Sequence, residues 1–242
     1  MELNKNKKGE LTTQQLVVII ILIVSFIVIL FLLFRLNLGE TSTKEICHNS
    51  VVLKAKSGVL AGPLDCRTNY LCISGGGKCE EISATATVKV DSNNKNETMK
   101  AIAEEMVDCW WMFGEGKIKY AGGDLSSKTS CSICSIVEFE DTPLISYKEF
   151  YNYLKTTQKT KSQTYLQYLY STGTLNEIEN DFPLEGYLTN NLESAKTYFI
   201  LTGISKSVVW GVFGSEHFPV VILERIEENY EKIGCDTFLT KS

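Results

Sequence analysis

Residues 16–34 read Leu-Val-Val-Ile-Ile-Ile-Leu-Ile-Val-Ser-Phe-Ile-Val-Ile-Leu-Phe-Leu-Leu-Phe, and Ser25 is the one polar side chain among them. At about 1.5 Å of rise per residue, a helix of this length matches the hydrocarbon thickness of a bilayer. A helix buried in a protein core keeps a polar face, and this one has none. The segment therefore predicts a transmembrane helix over 16–38. A cleaved secretory signal would have a shorter apolar core followed by a small-residue cleavage site. Here Arg35-Leu36-Asn37-Leu38-Gly39-Glu40 follows.

Lys5, Lys7 and Lys8 precede the apolar run, and Arg35 is the one base close behind it. Basic flanks stay in the cytoplasm, which puts residues 1–15 inside and residues 41–242 outside. The chain carries a net charge of −5. The basic positions near the membrane segment leave the remainder slightly more acidic still. Such a surface has no field for nucleic acid, so none is expected as a partner.

The eight cysteines are Cys47, Cys66, Cys72, Cys79, Cys109, Cys131, Cys134 and Cys235. All follow the apolar run, and their number is even. This suits an oxidising exterior and a disulfide framework. Cys72 and Cys79 flank Ile-Ser-Gly-Gly-Gly-Lys, whose glycines allow a tight local bridge. Cys131-Ser-Ile-Cys134 has the spacing of a redox pair, but such pairs work at a helix N-terminus. Here Ile133, Val137 and Phe139 alternate with Ser132, Glu138 and Glu140, a strand pattern. Residues three apart on a strand face opposite sides, so the two sulfurs should seek different partners, with Cys109 and Cys235 as candidates.

The domain reads as α+β. A membrane-proximal helix is expected over Thr41–Ser57, capped by Ser42 and Glu45, with Ile46, Val51, Val52 and Leu53 as its apolar face. Strands are expected over Leu64–Ile73 and Glu81–Val90, around the glycine turn. The clearest helix runs from Glu97 to Phe113, where Met99, Ile102, Ala103, Met106, Trp110 and Phe113 recur at three and four, and Gly114 and Gly116 end it. Ser146–Leu154 is expected to be a short helix with Ser146 and Glu149 as its capping box, a polar loop covers Lys155–Gln163, and Thr164–Tyr170 is helical. Strands are expected at Lys196–Ile204, Val208–Phe213 and Phe218–Leu223. Ile226, Tyr230 and Ile233 mark a last helix, ended by Gly234.

Chemistry is sparse. His48 and His217 are the two histidines, and a Cys–His hydrolase would need an unpaired cysteine. No second ligand pair accompanies Cys131 and Cys134 for zinc, so no metal and no cofactor is expected. Gly75-Gly-Gly-Lys78 and Gly114-Glu-Gly-Lys117 lack phosphate-loop spacing. Ser92-Asn-Asn-Lys95 lacks the companion motifs of an acylating serine. Glu104/Glu105 and Glu227/Glu228 fit solvated helix faces. The aromatic string Cys109-Trp-Trp-Met-Phe reads as core. The six tyrosines between Tyr147 and Tyr170 read as a half-buried rim or a binding face. Asn96-Glu-Thr98 is a glycosylation sequon, in which Asn96 competes with a helix-capping role.

Lys7-Lys8-Gly9-Glu10-Leu-Thr-Thr-Gln14-Gln15 resembles the class III signal of type IV pilins, especially the archaeal type. That resemblance implies cleavage between Gly9 and Glu10 by a prepilin peptidase. Gln14 stands where many pilins carry Glu. The Cys109–Lys117 string and the cysteine layout are similar to uncharacterised single-pass archaeal membrane proteins, a likeness that implies no activity. The expected role is structural or binding, with the bilayer and other envelope or pilus-like proteins as partners. The alternatives are a pilin-like subunit or assembly component, and an exported thiol–disulfide oxidoreductase or hydrolase.

Overall fold

The computed structural model describes residues 13–35, 41–57, 62–120, 129–170, 190–204 and 217–241. The expected strand at Val208–Phe213 and the Gly9-Glu10 site lie outside these residues. The chain divides into two units, Met1–Ser42 and Thr43–Ser242. The first holds helix α1, Thr13–Arg35. Side chains on α1 are described from residue 15 to residue 29, and the large apolar ones there are all exposed. Among the described residues no helix is long and apolar enough to cross a membrane. The described side chains cover only part of the run that the sequence places at bilayer length.

The second unit is α+β, built on a mixed six-stranded sheet. Its strands are β1 (Asn69–Ser74), β2 (Ala86–Lys89), β3 (Ser130–Glu140), β8 (Thr197–Ile204), β9 (His217–Glu224) and β10 (Thr237–Phe238). The order is β2-β1-β3-β8-β9, with β10 also on β3. Two small pairs lie off the sheet: β4 (Ile145–Ser146) with β7 (Asn191–Leu192), and β5 (Gln158–Thr160) with β6 (Gln163–Thr164). The β5–β6 hairpin occupies the segment expected to be a loop. Its short polar strands carry no apolar alternation to betray them.

β1 and β2 are parallel, with Leu71 opposite Ala86. They do not form a hairpin around the glycine turn, and each is shorter than the sequence expectation. The turn instead begins a crossover that returns the chain in the same direction. β10 and β1 both run parallel to β3 along one edge, β10 at Ser130–Cys131 and β1 from Ser135 onward. β8 and β9 continue the sheet antiparallel on the other edge. β8 is therefore internal, as its doubly apolar sequence implies.

Helix α3 (Lys95–Met112) lies against β3, β8 and β9. Met99, Ile102, Ala103, Met106, Trp110 and Phe113 are buried, as their period requires. Gly114 ends the helix at φ +81°, where a side chain would be strained. Helix α5 (Tyr165–Tyr170) packs on α3 and β9, and α4 (Tyr147–Thr156) packs on both helices. The Ser146 hydroxyl caps α4 by accepting the Glu149 N–H at 3.1 Å. Helix α2 spans Thr41–Ser57 and so already includes Ser42. It buries Cys47 and Val51 but leaves Ile46 and Leu53 exposed, which corrects the expected apolar face. The last helix, α6, spans Glu227–Ile233 and buries Ile233.

Candidate functional site: a disulfide-clamped polar junction

The eight cysteines form four bridges: Cys47–Cys66, Cys72–Cys79, Cys109–Cys134 and Cys131–Cys235. None is free. Three bridges meet the region where α2, α3 and β3 converge. Cys47 ties α2 to the segment before β1, Cys109 ties the end of α3 to β3, and Cys131 ties β3 to the residues after α6. Cys131 and Cys134 share a strand and take separate partners. The register of β3 against β8 shifts between Ile133 and Ser135, which makes Cys134 the extra residue of a bulge. A bulge sets two successive side chains on one side. Cys134 and Ser135 both reach α3, the first through Cys109 and the second through Glu105.

Glu105 is buried, which corrects the expectation that it faces solvent beside Glu104. Its Oε1 accepts the Ser135 hydroxyl and the Asn69 amide, the latter at 3.4 Å. Its Oε2 accepts Lys44 Nζ at 3.0 Å, and the same ammonium donates to Asp108 at 2.5 Å. A buried carboxylate is tolerated when its oxygens are occupied in this way. Burial alone would lower the Lys44 ammonium, but Glu105 and Asp108 together outweigh it and raise its pKa. Beside this network His48 stacks on Trp111 at 4.2 Å, and its Nδ1 lies 2.8 Å from the Trp111 carbonyl. These contacts fasten α2 onto α3 with two ion pairs and a ring stack, while the Cys47–Cys66 bridge ties α2 to the segment before β1.

A second buried carboxylate, Glu138 on β3, accepts the backbone N–H groups of Glu80, Glu81 and Ile82 at 3.0, 3.1 and 3.0 Å. It pins the stretch that directly follows the Cys72–Cys79 loop. Nothing in the sequence pattern marks Glu138 as internal, because its partners are main-chain groups.

The tyrosine-rich stretch is structural. Tyr147, Tyr151, Tyr165 and Tyr170 are buried and Tyr153 and Tyr168 are half-buried, so the set is more deeply placed than a half-buried rim. The Tyr151 and Tyr170 hydroxyls lie 2.8 Å apart, and Tyr170 donates to the Val220 carbonyl at 2.8 Å. Tyr165 donates to Glu104 at 2.5 Å and Tyr168 to Glu115 at 2.6 Å. Burial, reinforced by these carboxylates, raises both phenols. His217 opens β9, is buried, and donates from Nε2 to the Ile118 carbonyl at 2.8 Å. Lys95 pairs with Glu149, and Lys117 with Glu115.

The junction offers neither a thiolate nor a base beside an accessible nucleophile. Ser135 is fully buried and already donates to Glu105. Among the described residues no group of His, Cys, Asp and Glu is arranged to hold a metal. What the arrangement does is hold three elements rigidly together. Comparison with family models, curated proteins and solved structures finds no match to this chain.

Proposed function

We propose that this chain is a single-pass membrane protein whose disulfide-stapled domain stands outside the cell and serves as a structural or binding module of the envelope. The anchor is the apolar run 16–34, with the basic residues Lys5, Lys7 and Lys8 on the inner side. The observation that carries this reading is the consumption of every cysteine in bridges, because such sets characteristically form and persist in oxidising compartments. The absence of a free thiol supports a scaffold over a thiol–disulfide oxidoreductase. The Cys131–Cys134 spacing, which could have suggested one, is divided between two bridges.

The test uses the full chain in intact cells, tagged at either end. Added protease should remove a C-terminal tag while an N-terminal tag survives with a cytoplasmic control. Alkylation without reductant should label no cysteine. Loss of the N-terminal tag instead, or labelling at several cysteines before reduction, would overturn the proposal.

A further inference from the structure

Thr98 carries a hydroxyl that the fold does not use. It is 1% exposed on α3, and its Oγ1 has no hydrogen-bond partner. Two other described hydroxyls are buried without partners, those of Tyr120 and Ser132, but these two neighbour each other. Valine would fill the Thr98 site with the same shape and remove the cost of an unpaired polar atom. What the hydroxyl completes is the triplet Asn96-Glu97-Thr98, whose third position requires it for glycosylation.

Asn96 lies two residues earlier, roughly 200° around the helix from Thr98. Its side chain is exposed. Nor does Asn96 cap α3, which corrects the expected competition. Asn94 is the cap: its Oδ1 accepts the Asn96 N–H at 3.1 Å, and its Nδ2 donates to Glu97 at 3.1 Å. Glu97 accepts the Asp91 N–H at 2.9 Å, which closes the cap without the Asn96 carboxamide. One half of the triplet thus faces solvent and the other half is buried.

We propose that Asn96 carries an N-linked glycan, added before α3 folds. The donor is a sugar activated on a polyprenyl phosphate. Asn96 Nδ2 forms a bond to the anomeric carbon, the bond from that carbon to the phosphate oxygen breaks, the carboxamide gives up one proton and the lipid phosphate leaves. Folding then withdraws Thr98 into the core and leaves the sugar on the outer face of α3. The proposal rests on the extracytoplasmic reading above.

The test is mass spectrometry of the full-length protein from its native membrane, digested without reduction. The peptide containing Asn96 should be heavier than its sequence by a sugar mass. N96Q and T98V should return it to the sequence mass, and T98S should keep the addition. T98V should melt about 2–4 °C above the chemically deglycosylated parent. An unmodified parent peptide with four intact bridges would sink the glycan alone. An unmodified peptide with free thiols would sink the extracytoplasmic reading with it. Retention of the sugar mass in T98V would also overturn the assignment.

Discussion

At the residue scale, two features set how the domain responds to substitution and to pH. Glu105 has a serine, an asparagine and a lysine on its two oxygens, so truncation leaves several polar groups unpaired inside. Glu105→Ala should cost about 3 kcal/mol and Glu105→Gln roughly half of that, read as a fall in the denaturant midpoint. Equal and negligible costs would mean that the junction is solvated. The tyrosines set the alkaline limit. Burial is the main cause that holds the Tyr198 phenol up at about 12, against an ordinary value of 10.0. Tyr165, Tyr168 and Tyr170 move in the same direction. Above pH 10 the unfolded chain releases these protons while the folded chain keeps them. Stability is therefore complete below that value and falls as pH rises through the 10–12 window. Lys44, raised above 10.5, adds to the same loss. In a spectral titration the tyrosinate signal of this buried set should appear together with loss of fold. Its smooth appearance in a still-folded protein would contradict the burial assigned to these rings.

At the element scale, the legible parts were those whose burial follows a local period. The α3 stripe, the Ser146 cap on α4 and the apolar β8 could each be read from one short stretch of sequence. The parallel β1–β2 pair could not, because glycines between two strands signal a turn without saying whether the partner strand runs back or across. Nor could β10, which contributes two residues and is placed by main-chain bonds such as Leu239 N–H to Cys131 C=O at 2.8 Å. The α2 face was misread because a disulfide buries Cys47, while Ile46 next to it is exposed. The bridges differ in what they restrain. Cys131–Cys235 spans 104 residues and Cys72–Cys79 spans 7. By loop-closure entropy the long bridge contributes on the order of 4–5 kcal/mol and the short one about 2–3. Paired Cys→Ala variants should lower the unfolding midpoint in that order. The reverse order would show that the short bridge supports the Glu138 cage more than its loop length implies.

At the scale of the whole molecule, the two membrane readings part at the N-terminus. An intact mass of the membrane-extracted protein should include Met1–Gly9 for an uncleaved anchor, and should begin at Glu10 if the pilin-type signal is processed. A start near Thr41 would release the domain and remove the basis for anchoring. The placement of β10 bears on how such a domain is made. Thr129 exchanges bonds with Asp236, its N–H donating to the Asp236 carboxylate at 2.7 Å and its carbonyl accepting the Asp236 N–H at 2.9 Å. Lys241 bridges the chain just before β1, its carbonyl accepting the Thr68 N–H and its N–H donating to the Cys66 carbonyl, each at 2.9 Å. The edge of β3 beside β1 is thus completed by residues 236–241, which lie more than a hundred positions further along the chain. The Ser130–Cys131 end of that edge and the Cys131 thiol stay open until residues 235–238 are made. A chain cut just before Cys235 would keep every large element described here and one unpartnered sulfhydryl beside an open strand. Whether Cys131 has found Cys235 is therefore a direct chemical record of whether this edge of the sheet has closed.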